Sequence, residues 1–452
     1  MSKAEGPLTR PATRLGVFSW MLFDWAAQPY FTLLITFIFA PYFTAHVAPD
    51  PVTGQAIWGQ AMGIGGLIIA VLAPLLGALA DTSGPRKPWI GAFSVLLVAG
   101  AALLWFAAPG EGSPVTLTLI AFVVGLIGLE FATVFTNAMM PSLVSRAELG
   151  KLSGSGWALG YVGGVISLFI VLGLMSANAD TGRTLFGLSP IFGLDPATHA
   201  GDRATGPLTA VWYLIFVIPL FLFTPDVPRA PGQHIDLGAG LRRLKATIRE
   251  LPRRRSYSAF LVTSMFYRDG LNGLFTFGGI YAAGVLGLSI IQIGVFGILT
   301  AVLGAIGAFV GGRLDARFGP RSVVFWGCWL LVLGSGLIVS TTPTSVLFFI
   351  PVQIASLPLV VFYVAGGLIG AVGGALQAAS RTLLVDQVGP DEATEAFGLY
   401  ALTGRVTSFI APLSVGAVTA LSQSQRIGIL PIVVLLVLGA IGLALVQEKA
   451  RG

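Results

Sequence analysis

Apolar runs of about 20 residues recur from one end of the chain to the other, parted by short breaks that hold the charges and many of the Gly and Pro residues. Read with these turn signals, the pattern predicts twelve helices, beginning near residues 16, 57, 88, 114, 150, 209, 257, 289, 321, 357, 393 and 426. A helix of about 20 residues crosses a hydrocarbon layer of about 30 Å because it rises about 1.5 Å per residue. The first run comes after about 15 polar residues and is not closed by a small-residue cleavage site. It is therefore expected to be a retained span, with the mature N-terminus at Met1.

Composition agrees with the pattern: 55% hydrophobic residues, 10% charged residues and a mean hydropathy of +0.86 exclude a soluble globular protein. Charge placement then orients the spans. Of 26 Lys and Arg residues, Arg268, Arg381 and Arg405 fall within apolar runs, and only Arg183, Arg203 and Arg426 fall in one set of alternate loops. The other 20 lie in the N-terminal arm, the opposite loops and the tail, which places both termini in the cytoplasm and requires an even number of spans. The net charge of +6 thus belongs to cytoplasmic loops and implies no nucleic acid. A single cysteine, Cys328, and three scattered histidines predict no disulfide, no metal centre and no cofactor.

One long polar segment, about 225–256, divides the chain into residues 1–224 and 257–452. Pro225, Pro228, Pro231 and Gly232 break it before Leu237, Leu241, Leu244, Ile248 and Leu251 recur beside Arg242, Arg243, Lys245 and Arg249. That amphipathic stretch could meet anionic lipid headgroups or pack as a linker helix under the bundle. The loop at about 178–208 reads as a polar surface loop without nameable chemistry.

Two loops repeat one design. Gly77, Asp81, Gly84, Arg86 and Lys87 stand between two apolar runs, and Gly311, Asp315, Gly319 and Arg321 stand between two others. In each, a glycine four residues before an aspartate shares its helix face, and a later glycine permits a sharp turn. The closing glycine comes one residue later in the second copy. This doubled loop resembles the signature loop of the major facilitator superfamily. The resemblance implies an all-α integral membrane protein of twelve transmembrane helices in two pseudo-symmetric six-helix halves. It also implies a gating latch in which Asp81 and Arg86, and more weakly Asp315 and Arg321, hold one conformation.

Longer segments narrow the likeness. Phe23-Asp24-Trp25-Ala26, Thr36 to Phe43, Ser153 to Gly164, Tyr267 to Leu271, Phe275 to Tyr281, Gln377 to Arg381 and Phe397 to Gly404 resemble the family of the autophagy-related vacuolar amino-acid effluxer and its bacterial relatives. The resemblance implies a monomeric carrier in a bacterial inner (plasma) membrane with an amino acid as substrate. One fold carries many solutes, so the substrate itself is not fixed by it.

Six ionisable residues fall at bilayer depth: Asp24, Glu130, Arg268, Asp269, Arg381 and Arg405. Each costs about 2.5 to 3.5 kcal/mol on insertion scales, so each needs a partner or a watery cavity. By the superfamily's fold, five of the six fall on spans that line the central cavity. Arg268 and Arg381 are expected to hold an anionic group through the forked donors of guanidinium. Asp24 and Glu130 are expected to exchange protons with cavity water; alternatively, either neutralises an arginine across the bundle. Adjacent on one helix, Arg268 and Asp269 point about 100 degrees apart and cannot easily pair. Asp269, Gln377, Asn272, Tyr267, Asn137 and Trp25 complete the expected substrate-binding set, with Gln28, Tyr161, Tyr281 and Tyr400 as support.

The leading function is therefore secondary active transport by alternating access, coupled to protons or another ion, with a small zwitterionic or anionic metabolite as substrate. An exporter or flippase of an amphipathic lysolipid or drug is a rival within the class, with cation-coupled sugar uptake third. From another class comes a non-transporting receptor, which the glycine-rich interfaces and buried charges suit less well. An enzyme is disfavoured because no phosphate loop, His-Glu-x-x-His or paired cysteines occur and no large extramembrane domain is present.

Overall fold

The computed structural model describes residues 12–82, 84–110, 112, 114–144, 148–178, 181–226, 249, 254–388 and 393–447. Apart from Arg249, the basic amphipathic stretch lies outside the described set, as do the side chains of Gly77 and Asp81. The spans are α1 (Arg14–Val47), α2 (Pro51–Thr82), α3 (Lys87–Leu103), α4 (Val115–Leu143), α5 (Leu149–Ile170) and α6 (Thr205–Phe223), then α7 (Arg255–Gly284), α8 (Ile290–Phe318), α9 (Pro320–Val339), α10 (Leu357–Val388), α11 (Leu399–Ser422) and α12 (Gln425–Leu445).

Among the described residues, 11 helices are long and apolar enough to cross a membrane, and α7 brings the set to the predicted twelve. Its lower hydropathy has a plain cause: Arg255, Arg268, Asp269 and Asn272 sit along it. Large side chains such as Val95, Phe309, Leu333 and Val364 stand exposed around the bundle, which places that surface in lipid.

Packing repeats between the halves. In the first, α1 lies on α5 and α6, α3 on α4 and α6, and α2 on α4. In the second, α7 lies on α12 and α11, α9 on α10 and α12, and α8 on α10. Shift each helix number by six and one set becomes the other. Both ends of the described chain reach one face, here called the terminal face, where Thr224 Oγ1 donates to Gly16 O at 2.9 Å and Ser256 Oγ bridges Gln387 and Gln447.

The halves join firmly towards the opposite face. There α2 and α11 touch backbone to backbone, and a Cβ on Gly59 would lie 2.8 Å from Gly416 N. Only the absence of side chains allows that approach. Gln55 Nε2 donates to Thr419 Oγ1 at 2.8 Å and to Gln425 O at 3.0 Å, while Gln425 Nε2 returns a bond of 2.9 Å to Pro51 O. These neutral bonds replace water for amides buried in the seam.

Along α1 the winding changes. After Pro29 the helix widens to π geometry over Tyr30–Phe37, and Ile38 N–H reaches back five residues to Leu33 O at 3.2 Å. Pro29 has no N–H to donate, and the wider turns begin directly after it. The bulge lets Phe37 cross the seam to meet Phe296 of α8, with ring centres 6.4 Å apart.

Candidate functional site

On the first half, the wall facing the seam is built by α1 against α5. Asp24 lies over Gly156 and Gly160, close enough that a Cβ on Gly156 would fall 2.5 Å from Asp24 Oδ2. The glycines of Ser153 to Gly164 thus make room for a carboxyl. Beside it, Trp25 stacks on Trp212 at 5.6 Å and meets Phe216, while Trp212 Nε1 donates to Trp25 O at 3.0 Å. Trp25 Nε1 is buried and has no hydrogen-bond partner among the described residues. Asn137, about two turns beyond Glu130 on α4, is exposed.

Guanidinium groups dominate the second half. Arg268 Nη1 donates to Tyr400 O at 2.7 Å, and its charge lies 4.0 Å from the centre of the Tyr400 ring. That ring stacks in turn on Phe260 at 5.8 Å. Tyr267 is buried and shares a 2.9 Å hydrogen bond with Ser380 of α10. Asp269 is 2% exposed on α7. Asn272 stands exposed about one turn further along, and Gln377 is half-buried on α10.

Two contacts cross the seam at bilayer depth. Arg405 Nη2 of α11 comes within 3.7 Å of Glu130 Oε2 on α4, with about a quarter of each side chain exposed, 25% and 22%. Arg381 of α10 places its charge 5.7 Å from the centre of the Trp157 ring on α5. In both contacts the guanidinium comes from the second half, and it meets a carboxylate or a ring of the first. The alternative reading of Glu130, as neutralising an arginine across the bundle, named no particular arginine; the fold brings Arg405 to it. Ser380 and Phe260 were missed, since a lone hydroxyl or ring in an apolar run carries no distinguishing signal.

The signature loops fasten to the last helix of their own half. Arg86 N–H and Lys87 N–H donate to the two carboxylate oxygens of Asp226 at 2.8 and 3.0 Å, and Lys87 Nζ donates to Phe221 O at 2.8 Å. In the second copy, Arg321 Nε donates to Leu443 O at 3.1 Å and Nη2 to Ala444 O at 3.4 Å. Gly84 and Gly319 take positive φ of 75° and 83°, the turn that each closing glycine predicted. Asp315 is buried at the end of α8. Asp226 had a legible signal, an acid just past the end of a span and level with a basic loop, which sequence reading passed over.

A narrow apolar cavity of about 40 Å³ lies where α7, α8, α9, α10 and α12 converge, with Phe37 of α1 in its wall. Phe277, Tyr281, Phe296 and Phe362 line it, with Thr300 and Ser335 as its polar points.

Against this geometry the comparisons are consistent. Residues 146–451 match the model of the family described as vacuole effluxer Atg22 like, and residues 4–168 match that of the major facilitator superfamily. An uncharacterized MFS-type transporter, YxiO of Bacillus subtilis (strain 168), is 26% identical over 441 residues, covering 95% of this chain and 94% of that protein. Autophagy-related protein 22 of Cryptococcus neoformans var. neoformans serotype D is 26% identical over 314 residues, 65% of this chain and 52% of that protein. Among solved structures, a D-xylose-proton symporter superposes with a TM-score of 0.67 at 15% identity, covering 96% of this chain and 97% of that one, a likeness of fold.

Proposed function

The chain belongs to the Atg22-like vacuole effluxer family and has the major facilitator fold of a membrane transporter; from this we propose a secondary active carrier that moves a small zwitterionic or anionic metabolite, such as an amino acid, by alternating access coupled to protons. One observation carries the reading: the first half presents Asp24 and Glu130, the second presents Arg268, Arg381 and Arg405, and Glu130 and Arg405 meet across the seam. A substrate with a carboxylate competes for guanidinium, and a proton competes for carboxylate. Either event changes how strongly the halves attract each other, which is what alternating access requires.

In this reading Arg268 and Arg381 hold the anionic group, with Asp269, Gln377, Asn272, Tyr267, Asn137 and Trp25 around it, and Asp24 and Glu130 take up protons. Residues 1–224 and 257–452 act as rocking halves joined by 225–256. The doubled loops gate the terminal face, which is cytoplasmic in a bacterial plasma membrane, and the protein works as a monomer in contact with lipid.

A second reading, export of an amphipathic substrate, draws on the aromatic cavity lined by Phe277, Tyr281, Phe296 and Phe362. One experiment separates the two. Reconstituted protein should move labelled amino acids faster than empty liposomes, and faster still under an imposed proton gradient. If a broad amino-acid panel neither moves nor binds while a lysolipid does, the metabolite reading is wrong and the amphipathic one stands.

A further inference from the structure

Two of the three histidines meet. His46 lies in the last turn of α1 and His199 precedes the short helix Ala200–Arg203 ahead of α6, yet their rings stack with centres 4.0 Å apart and planes 28° from parallel. His199 Nδ1 lies 3.0 Å from Asp202 Oδ2, and the hydroxyl of Ser176 donates to the other carboxylate oxygen. Asp202 is 2% exposed, whereas His46 is exposed on the face away from the termini. His199 takes φ 51° and ψ 34°, a left-handed conformation that few residues other than glycine adopt, so its ring is held in place against backbone strain.

The other ionisable groups around the two rings are engaged elsewhere. Tyr42 has its ring 5.9 Å from His46 and 5.6 Å from His199, and its hydroxyl donates to Ala107 O at 2.6 Å. Arg203 turns its guanidinium onto the Trp105 ring at 4.9 Å, Asp50 accepts from Val52 and Thr53 N–H, and Asp195 accepts from Ala197 N–H. Of the segments packed here, Leu104–Phe106, Val171–Met175 and Pro196–Thr198 carry no ionisable side chain, and neither does α2 over Pro51–Ala73. On α6 there is Tyr213, bonded to Ser94, and on α7 over 272–284 there is Tyr281, bonded to Ile338 O. Among the described residues no group of three or more His, Cys, Asp or Glu could hold a metal ion. The ligand that this cluster suits is the proton.

One buried carboxylate balances one imidazolium. Asp202 needs a donor from His199, which either the neutral ring or the cation supplies. With a second proton the stacked rings carry like charges, of which Asp202 offsets one. The exposed ring, His46, can then turn to water. Its helix is also held from the other side, because α1 meets α7 across the seam where a Cβ on Gly279 would fall 2.9 Å from Pro41 Cγ.

We propose that His46, His199 and Asp202 form a proton-binding clasp on the face away from the termini: the first proton is shared with Asp202, and the second parts the rings and frees the last turn of α1 from Ala200–Arg203. The clasp is closed in neutral and alkaline surroundings and opens in acid. It lies 22 positions along α1 from Asp24 and is independent of whether transport is proton-coupled.

The test uses the full chain in a Cys328→Ser background, with spin labels at Pro49→Cys and Ala197→Cys, both exposed. The distance between them should lengthen as pH falls below about 6.5, the range in which an imidazole takes up its proton. His46→Phe keeps a stacking ring that cannot be charged, so there the distance should stay short at every pH. A parent distance indifferent to pH overturns the clasp, and so does lengthening that persists in His46→Phe. Titration of the rings by NMR on histidine-labelled protein supplies a second reading. His46 should take its proton at least about one pH unit below His199, and its midpoint should rise in His199→Gln, whose amide still donates to Asp202. Should His46→Phe fail to fold, a His46 midpoint unmoved in His199→Gln overturns the proposal. Neither readout involves transport, so uptake indifferent to a proton gradient would remove proton coupling and leave the clasp standing.

Discussion

Glu130 and Arg405 stand 3.7 Å apart on opposite halves of the molecule, one on α4 and the other on α11, at bilayer depth. No covalent or secondary-structure constraint brings them together, so their separation reports the relative position of the halves. Breaking such a pair leaves one charge without compensation, and the cost depends on how much water reaches it.

Replacing Glu130 by Gln should abolish the response to a proton gradient while lowering thermal stability by about 1 to 2 kcal/mol, below the fully buried range because the pair is partly exposed. The exchange Glu130→Arg with Arg405→Glu should recover stability relative to either single variant. Gradient-driven uptake and thermal unfolding in detergent measure both effects. Unchanged gradient-driven uptake in Glu130→Gln would remove it as a proton carrier.

Arg381→Lys keeps the charge but loses the planar fork and the stacking on Trp157. Affinity for a carboxylate-bearing substrate is expected to fall about tenfold, equivalent to about 1.4 kcal/mol. Titration of binding by thermal shift checks it, and an unaltered affinity would move the anion site away from Arg381.

Gly156→Ala inserts a methyl where Asp24 Oδ2 already lies, at 2.5 Å from the new carbon. Either the carboxyl turns or α1 separates from α5. Stability should drop by about 1 to 3 kcal/mol, as overpacking does. The neighbouring Gly154→Ala meets open space and should be nearly silent. Paired melting curves of the two variants make the comparison internal.

Asp226→Ala removes the acceptor for two backbone N–H groups at the start of α3, at Arg86 and Lys87. The expected cost is about 1 to 2 kcal/mol, the range of a lost helix cap. Faster hydrogen exchange should appear over residues 84–90, with α9 undisturbed. Exchange that rises equally in both halves would contradict fastening within one half.

Asp50, on the face away from the termini, caps α2 by accepting from Val52 N–H and Thr53 N–H at 2.9 Å and from Thr53 Oγ1. These bonds, the Thr53 hydroxyl foremost, hold its pKa below the usual 3.8. A group depressed on folding stabilises above its unfolded pKa and loses that contribution as pH falls through the folded value. Fraying of the first turn of α2 is therefore expected only in strong acid, below about pH 4, and Asp50→Ala, which removes the acceptor, should show it at neutral pH. Hydrogen exchange at Thr53 and Gly54 reads both.

Twelve spans, their division into halves and the doubled loop were legible without coordinates, because a bilayer imposes length and apolarity on every segment that crosses it. So was the unusual character of α7, whose charges broke the apolar run. The partners of those charges were not. Periodicity states which face a residue occupies, yet Glu130 and Arg405 are separated by 275 positions and Asp226 lies 139 beyond Lys87, distances over which no local pattern carries information. Asp24 was visible as a buried acid, whereas the glycine cradle that holds it depends on the crossing of α1 and α5. Asp269 was legible as a charge within an apolar run; that it is 2% exposed depends on how α7 is packed. The sequence determined which charges must be buried, since the membrane leaves them nowhere else to go. Tertiary packing decided which of them meet, because opposite charges far apart in the chain are brought within a few ångströms only by the way the helices cross.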